Sequence, residues 1–189
     1  MIKTSGKKGK DERKLQGLVH IYTGEGKGKT TAALGLGIRA CGGDLRVALV
    51  QFLKGTDTGE LKILRGLGEI FKVYRNPDKV KFIKDMNPQE LQAVRSGTGG
   101  LWETAKDLGS RGQCDLLILD EIMAAISNGL LPLDDVARWV REKPGALELV
   151  MTGRNAPADL VELADYVSEI KAVKHPYSRG IKARKGIEF

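Results

Sequence analysis

The stretch YTGEGKGKTT, residues 22–31, decides the fold, because alternating glycines in it join a strand-like segment to a helix-like one. The preceding residues LVHIYT (18–23) are rich in β-branched and aromatic side chains, whereas the following KTTAALGLGIRAC (29–41) has good helix formers. A glycine-rich turn between a strand and a helix directs backbone N–H groups into a concave site for anions. The stretch therefore predicts a phosphate-binding loop.

The glycine spacing of this loop departs from the common one. The pattern G-x-x-x-x-G-K-[ST] requires a first glycine five residues before Gly28, and Thr23 stands there instead. Lys29 is suited to bridging phosphate oxygens, and the hydroxyl of Thr30 to binding a Mg²⁺ ion that the phosphates also hold. A tight turn that binds nothing is the alternative, but lysine and threonine are too concentrated at this junction to favour it.

The rest of the chain alternates strands with helices. We predict further strands at 45–52, 70–74, 115–121, 147–152 and 166–170, and helices at 87–109, 134–142 and 157–164. Strand, loop, helix and strand in succession make a βαβ unit and hence a parallel sheet. The expected fold is α/β: a single-domain, RecA-like P-loop fold with a mostly parallel sheet and helices on both faces. This domain is expected at 17–189, after a basic segment, 1–16, that is either disordered or a cover for the active site.

A second motif supports nucleotide binding. LLILDE (116–121) is an apolar strand that ends in Asp120 and Glu121, as in Walker B strands, whose acidic end faces the metal beside the loop. An acid that merely caps the next helix is the alternative for this segment alone. Taken with the glycine loop, it predicts Mg-ATP. Arg39, Arg154 and Arg179 are candidates for additional phosphate contacts, and no water-positioning residue or lid is identifiable.

Composition and charge argue against other classes. The net charge is +7, but residues 1–14 carry +4 and 171–189 carry +5, so the body of the domain is nearly neutral. With aromatic residues at only 5% of the chain, nucleic-acid binding is disfavoured. No apolar run approaches the ~20 residues that span a membrane. Cys41 and Cys114 are far apart, without a CxxC motif, so we expect a reduced, cytoplasmic protein.

Several segments together resemble one family. They are GLVHIYTGEGKGKTTAALGLGIRACG, VALVQFLKG, LLILDE followed by LPLDDV, VMTGR and VKHPYSRGIKARKGIEF, and they resemble the P-loop type of ATP:corrinoid adenosyltransferase from about residue 17 to the C-terminus. The resemblance implies transfer of the adenosyl group to a reduced cob(I) corrinoid, with the triphosphate as leaving group and ATP lying in the loop in the reverse sense. It further implies Mg²⁺ or Mn²⁺, a flavoprotein reductase as electron donor, and a homodimer.

The family's functional residues carry over by position. Lys29, Thr30 and Glu121 match residues with catalytic roles, and Thr30 and Glu121, with Asp120 beside them, match the metal site. The ATP-binding positions are Gly24, Glu25, Gly26, Lys27, Gly28, Lys29, Thr30, Thr31 and Arg39. Where well-known members have a Phe-x-Trp segment at the corrinoid, this chain reads KFIKD (81–85), with Phe82 at the first position and Lys84 at the third.

Two other functions use the same strand, loop and helix. A RecA-like ATPase would release ADP and phosphate, and a small-molecule kinase would release ADP and a phosphorylated acceptor, whereas adenosyl transfer releases triphosphate. The near-neutral body and the lack of a second domain argue against the ATPase. A kinase is disfavoured because no lid or phosphoacceptor site is identifiable in the sequence.

Overall fold

A parallel sheet organises the part of the chain that the computed structural model describes, residues 16–55, 58–76 and 83–188. Within these ranges there are six strands, and each hydrogen-bonded pair of neighbours is parallel. They are β1 (Val19–Thr23), β2 (Val47–Gln51), β3 (Phe71–Arg75), β4 (Leu116–Asp120), β5 (Glu148–Thr152) and β6 (Tyr166–Glu169). Their order across the sheet is β3-β2-β4-β5-β1-β6, so β5 lies between the strand before the glycine loop and the Walker B strand.

Helices cover both faces of this sheet. Those of the described residues are α1 (Lys29–Gly42), α2 (Gly59–Gly66), α3 (Pro88–Ser110), α4 (Ile122–Ser127), α5 (Leu133–Glu142) and α6 (Ala158–Val161). One core cluster unites the sheet with α3 to α6, and the other unites it with α1 and α2. The predicted parallel α/β sheet with helices on both faces is therefore confirmed.

The central strand β4 shows why the sequence specifies two cores. Leu117 and Leu119 belong to the cluster with α3 to α6, whereas Leu116 and Ile118 belong to the cluster with α1 and α2. Successive side chains of a strand point to opposite faces, so a strand with helices on both sides must be apolar throughout. The run LLIL before Asp120 meets this requirement, and all five residues of β4 are buried.

The helices differ in two respects from the sequence-based expectation, and the long helix predicted at 87–109 is confirmed as α3. The sequence did not predict α2 and α4, which are too short for a clear helical period, although Leu61 and Leu64 bury one side of α2. The helix predicted at 157–164 is a single turn, Ala158–Val161. The glycines of α3 do not interrupt it, because a capping box at its start and buried apolar side chains along it hold the helix together.

Two further expectations concern the basic N-terminal segment and membrane-spanning helices. Of the basic segment predicted at 1–16, residues 1–15 lie outside the described residues. None of the helices in the described ranges is both long and apolar enough to cross a membrane.

Two helical glycines should respond oppositely to alanine. Gly100 in α3 is exposed, and an added Cβ there meets no atom within 4 Å. Gly100→Ala should raise the free energy of unfolding by about 0.5–1 kcal/mol, since alanine is the better helix former. A Cβ on Gly37 in α1 would lie 2.8 Å from Phe71 Cε2 and 3.2 Å from Ile118 Cδ1, so Gly37→Ala should lower it. Urea unfolding measures both, and equal stabilisation would contradict the close packing of α1 on the sheet.

Candidate functional site

The candidate site lies at the carboxyl edge of the sheet, where open parallel sheets bind their ligands. In the sheet register Gln51 at the end of β2 is the partner of Asp120 at the end of β4. Thr152 ends β5 and is the partner of Tyr22, one residue before the end of β1. The glycine loop, the Walker B acid and the ends of two further strands therefore meet at one edge.

The glycines at 24 and 26 are required by the close approach of the chain just after β6. The backbone N–H of Gly26 donates to the carbonyl of Ile170 at 2.7 Å, and the N–H of Ile170 donates to the carbonyl of Thr23 at 2.8 Å. A Cβ on Gly24 would lie 2.5 Å from the Ile170 oxygen, and one on Gly26 would lie 2.7 Å from it. The loop is thus fixed to the chain after β6, which gives a physical reason for the shifted glycine spacing.

Gly28 and Lys29 form the junction of the loop with α1. Gly28 has φ 125°, a conformation that favours glycine, and it is the N-terminal cap of the helix. Lys29 is only 8% exposed, and its ammonium donates to the carbonyls of Gly24 at 2.6 Å and Gly26 at 2.9 Å. Burial lowers the pKa of Lys29, which the nearby Glu121 carboxylate partly opposes. The positive charge is therefore held inside the loop.

Asp120 is the most heavily hydrogen-bonded side chain of the site. It is fully buried, and its Oδ1 accepts from the hydroxyls of Thr30 at 2.9 Å and Thr152 at 2.7 Å. Its Oδ2 accepts from Gln51 Nε2 at 3.2 Å and from Lys54 Nζ at 2.7 Å. Four donors from four segments therefore fix the orientation of this carboxylate.

Lys54 was not singled out by the sequence analysis. Its ammonium lies between the Thr30 hydroxyl, at 2.9 Å, and the Asp120 carboxylate, at 2.7 Å, and its side chain is 29% exposed. The residue follows β2, and β2 is the neighbour of β4, which explains how it reaches Asp120. The available signal was its position in VALVQFLKG, where a lysine comes shortly after a buried strand.

Glu121 is the N-terminal cap of α4 and has an unusual backbone conformation. Its φ is 62° and its ψ is 25°, in the left-handed region that non-glycine residues rarely adopt. Its backbone N–H donates to the Thr152 hydroxyl at 2.9 Å, which holds this turn in place, and the residue lines the cleft beside the loop. Local strain of this kind is concentrated at functional sites.

The oxygen atoms here have the chemistry that Mg²⁺ prefers. The Thr30 hydroxyl and the Asp120 carboxylate are hard donors, and both contact a cation, the Lys54 ammonium. Within the described ranges no group of three or more His, Cys, Asp or Glu side chains could hold a metal by itself. The arrangement therefore fits a Mg²⁺ ion that takes few protein ligands and completes its coordination with phosphates and water.

A cleft of about 730 Å³ opens above the loop. Clefts of this size hold small-molecule ligands. Its lining includes most of the predicted ATP-binding positions: Glu25, Gly26, Lys27, Gly28, Lys29, Thr30 and Thr31. The C-terminal residues Gly186, Ile187 and Glu188 also line it, and Lys27 Nζ donates to the Ile187 carbonyl at 3.3 Å and to Glu188 Oε1 at 3.1 Å.

The three candidate arginines lie in different places. Arg154 lines the cleft, where it pairs with Glu25 at 2.9 Å, and both side chains are more than half exposed. Arg39 is in the last turn of α1, ten residues beyond Lys29, or about 15 Å along the helix. Neither Arg39 nor Arg179, which ends the turn Pro176–Arg179, is among the residues lining the cleft. A phosphate contact by Arg39 stays a prediction.

The predicted corrinoid position is only partly described. Phe82 lies outside the described residues. Lys84 is exposed in the short turn Ile83–Asp85, just before α3.

Replacing Asp120 should show how much the fold depends on this carboxylate. Asp120→Asn puts an NH₂ group against hydrogen-bond donors in a buried site, so we expect the free energy of unfolding to fall by about 2–4 kcal/mol. Asp115→Asn is the matched control, because Asp115 pairs with Arg46 at 2.8 Å but is partly exposed, and should lose about 1 kcal/mol. Urea unfolding of the two variants compares them, and equal losses would contradict the central role of Asp120.

Comparison with known proteins identifies relatives that match most of the chain. The model of the family described as ATP:corrinoid adenosyltransferase BtuR/CobO/CobP matches residues 15–189. A corrinoid adenosyltransferase of Escherichia coli is 37% identical over 180 residues, which cover 95% of this chain and 87% of the relative. The corrinoid adenosyltransferase CobA of Salmonella typhimurium is 34% identical over 92% of this chain and 86% of the relative. A corrinoid adenosyltransferase of Pseudomonas aeruginosa is 34% identical over 95% of this chain and 86% of the relative.

Proposed function

The chain belongs to the ATP:corrinoid adenosyltransferase family, and we propose that its cleft holds ATP as the donor of an adenosyl group rather than of a phosphoryl group. The enzyme transfers the 5′-deoxyadenosyl group of ATP to the cobalt of a reduced cob(I) corrinoid and releases triphosphate. The observation that carries the assignment of the site is the glycine loop with the buried Lys29, next to the hydrogen-bonded Thr30 and Asp120.

The reaction needs little acid–base chemistry from the protein. The electron pair of cob(I) attacks C5′ of the ribose and forms the cobalt–carbon bond. The bond between C5′ and the triphosphate oxygen breaks, and its electron pair leaves with the triphosphate. The tasks left to the protein are to align cobalt with carbon and to stabilise the negative charge that grows on the leaving group.

We assign the second task to the loop and its lysine. The N–H of Gly26 is taken by the Ile170 carbonyl, so the other backbone N–H groups from Gly24 to Thr30 and the N-terminus of α1 supply partial positive charge, and Lys29 supplies a full one. The Lys29 ammonium donates to two loop carbonyls, and phosphate oxygens would replace these acceptors. The buried position of this charge makes its interaction with the leaving group strong, because little water screens it.

Thr30, Glu121 and Asp120 are the residues that we expect to hold the divalent metal. Thr30 and Asp120 share one cluster of oxygen atoms, and Glu121 lines the same cleft. When bound, the ion would neutralise charge on the triphosphate. The catalytic group proposed for this reaction is therefore Lys29, Thr30 and Glu121.

Several finer features follow from the family. We propose Mg²⁺ or Mn²⁺ as the ion, a flavoprotein reductase as the source of the electron that makes cob(I), a homodimer as the assembly and the cytoplasm as the compartment. We propose that the corrinoid binds near Phe82 and Lys84. The cleft described here is the part of the site that would bind ATP.

Product analysis distinguishes this function from those of other P-loop proteins. Purified protein, Mg-ATP and chemically reduced cob(I)alamin are mixed under anaerobic conditions and followed by visible absorbance. Loss of the cob(I) spectrum with one triphosphate released per corrinoid is the expected result. ADP and phosphate without a spectral change would instead indicate an ATPase and overturn the proposal.

Replacing Lys29 tests the position of the triphosphate. Lys29→Ala removes a charge-assisted contact worth about 1.5–3 kcal/mol, so turnover should fall at least tenfold while the fold stays intact. Lys62→Ala is the control, because Lys62 is an exposed residue of α2 that does not line the cleft, and its turnover should match the wild type. Near-normal turnover in Lys29→Ala would show that the triphosphate lies elsewhere.

A further inference from the structure

We propose that Lys54 is an internal cation that occupies the divalent-metal position between Thr30 and Asp120 and competes with the metal for it. In the metal-free protein its ammonium would keep these two ligands in place, and it would have to leave when the ion binds. This inference rests on the proposed function only in taking Thr30 and Asp120 as metal-binding groups. It assigns a role to a residue that the motifs had not indicated.

The hydrogen bonds of Lys54 put its ammonium where a metal bound by Thr30 and Asp120 would lie. The ammonium of Lys54 donates to the Thr30 hydroxyl at 2.9 Å, so the hydroxyl oxygen accepts and directs its own proton to Asp120 Oδ1 at 2.9 Å. A metal bound by this hydroxyl needs an oxygen lone pair on the same side of Thr30. The ammonium also contacts Asp120 Oδ2 at 2.7 Å, so it bridges two oxygens as a small cation would.

Electrostatic repulsion prevents the metal ion and the Lys54 ammonium from occupying this position together. Mg²⁺ lies about 2.0–2.1 Å from its oxygen ligands, so an ion between these oxygens would lie within a few ångströms of the ammonium. At that separation, and with Asp120 fully buried, the repulsion is only weakly screened. Without any cation, Asp120 would be a buried charge supported by neutral donors alone, which is costly. The position beside Thr30 and Asp120 therefore favours one cation, either the metal or the ammonium, over none or both.

Lys54 has a route out of this position. Its side chain is 29% exposed and lines the cleft, whereas its backbone carbonyl accepts a hydrogen bond from Arg75 Nη2 at 2.9 Å. The main chain is thus held while the ammonium is free to turn towards the cleft, where the triphosphate would lie. Entry of the metal would then move a positive charge from Asp120 to the leaving group.

Mn²⁺ binding to the protein alone tests the competition. Free Mn²⁺ is measured by electron paramagnetic resonance during titration of the wild type and of Lys54→Met, with neither nucleotide nor corrinoid present. The variant should bind Mn²⁺ at least tenfold more tightly, and its unfolding temperature, lowered without metal, should rise more on adding Mn²⁺. A lysine that only supports the fold would leave the affinity unchanged or lower it when removed.

Two further variants control for charge and for folding. Lys27→Met removes the same charge from the same cleft, but Lys27 contacts Glu188 rather than Asp120, so its Mn²⁺ affinity should change by less than that of Lys54→Met. Lys54→Gln keeps a polar side chain at the position and should also bind Mn²⁺ more tightly than the wild type. It replaces Lys54→Met in the comparison if the methionine variant does not fold.

The outcomes separate this inference from the proposed function. Equal Mn²⁺ affinities, weaker binding in both Lys54 variants, or no detectable binding in any of the proteins would overturn the competition. An equal gain in Lys27→Met would also overturn it, because general charge would then be the cause. Failure of the proposed function would appear as ADP in the product analysis and would leave the Mn²⁺ comparison unaffected.

Discussion

The carboxylate of Asp120 is the constraint on which the site depends. It is a fully buried charge, and such a charge is tolerated only when hydrogen-bond donors and a counter-ion surround it. The donors come from the start of α1, the end of β2, the residues just after β2 and the end of β5. The same hydrogen bonds therefore position Thr30 and join the ends of neighbouring strands, so the geometry of the candidate site and the folding of this edge are linked.

The glycine loop is set by a second constraint, its contact with the chain after β6. Ordinary phosphate-binding loops are described by their spacing, but here the contact with Ile170 requires glycine at 24 and 26. The hydrogen bond from Gly26 to Ile170 then fixes the loop before any ligand arrives. The remaining N–H groups of the loop are thus preorganised for an anion, which lowers the cost of ordering them on binding.

The sequence predicted the sheet and the two phosphate motifs because these depend on local patterns. Apolar runs, the glycine turn and the acid after β4 are visible within single segments, and all six strands lie where such patterns occur. Lys54, Thr152 and the C-terminal residues around Glu188 depend instead on which strand ends become neighbours. Strand order is not encoded in any short segment, so these contacts needed the three-dimensional structure. Arg39 is a different case: the resemblance to the family suggested a phosphate contact for it, but it lies in the last turn of α1 and does not line the cleft, so that contact stays a prediction.

The cations that line the cleft are each compensated from within the described part of the chain. Lys29 contacts loop carbonyls, Lys54 contacts Asp120, Lys27 contacts Glu188 and Arg154 contacts Glu25. A triphosphate that enters this cleft must therefore exchange internal acceptors for its own oxygens, and the net gain is smaller than the sum of its new contacts. This exchange has a consequence for turnover. Once the cobalt–carbon bond has formed in the proposed reaction, the same internal acceptors are available to take the cations back, which lowers the cost of releasing the triphosphate from the proposed site.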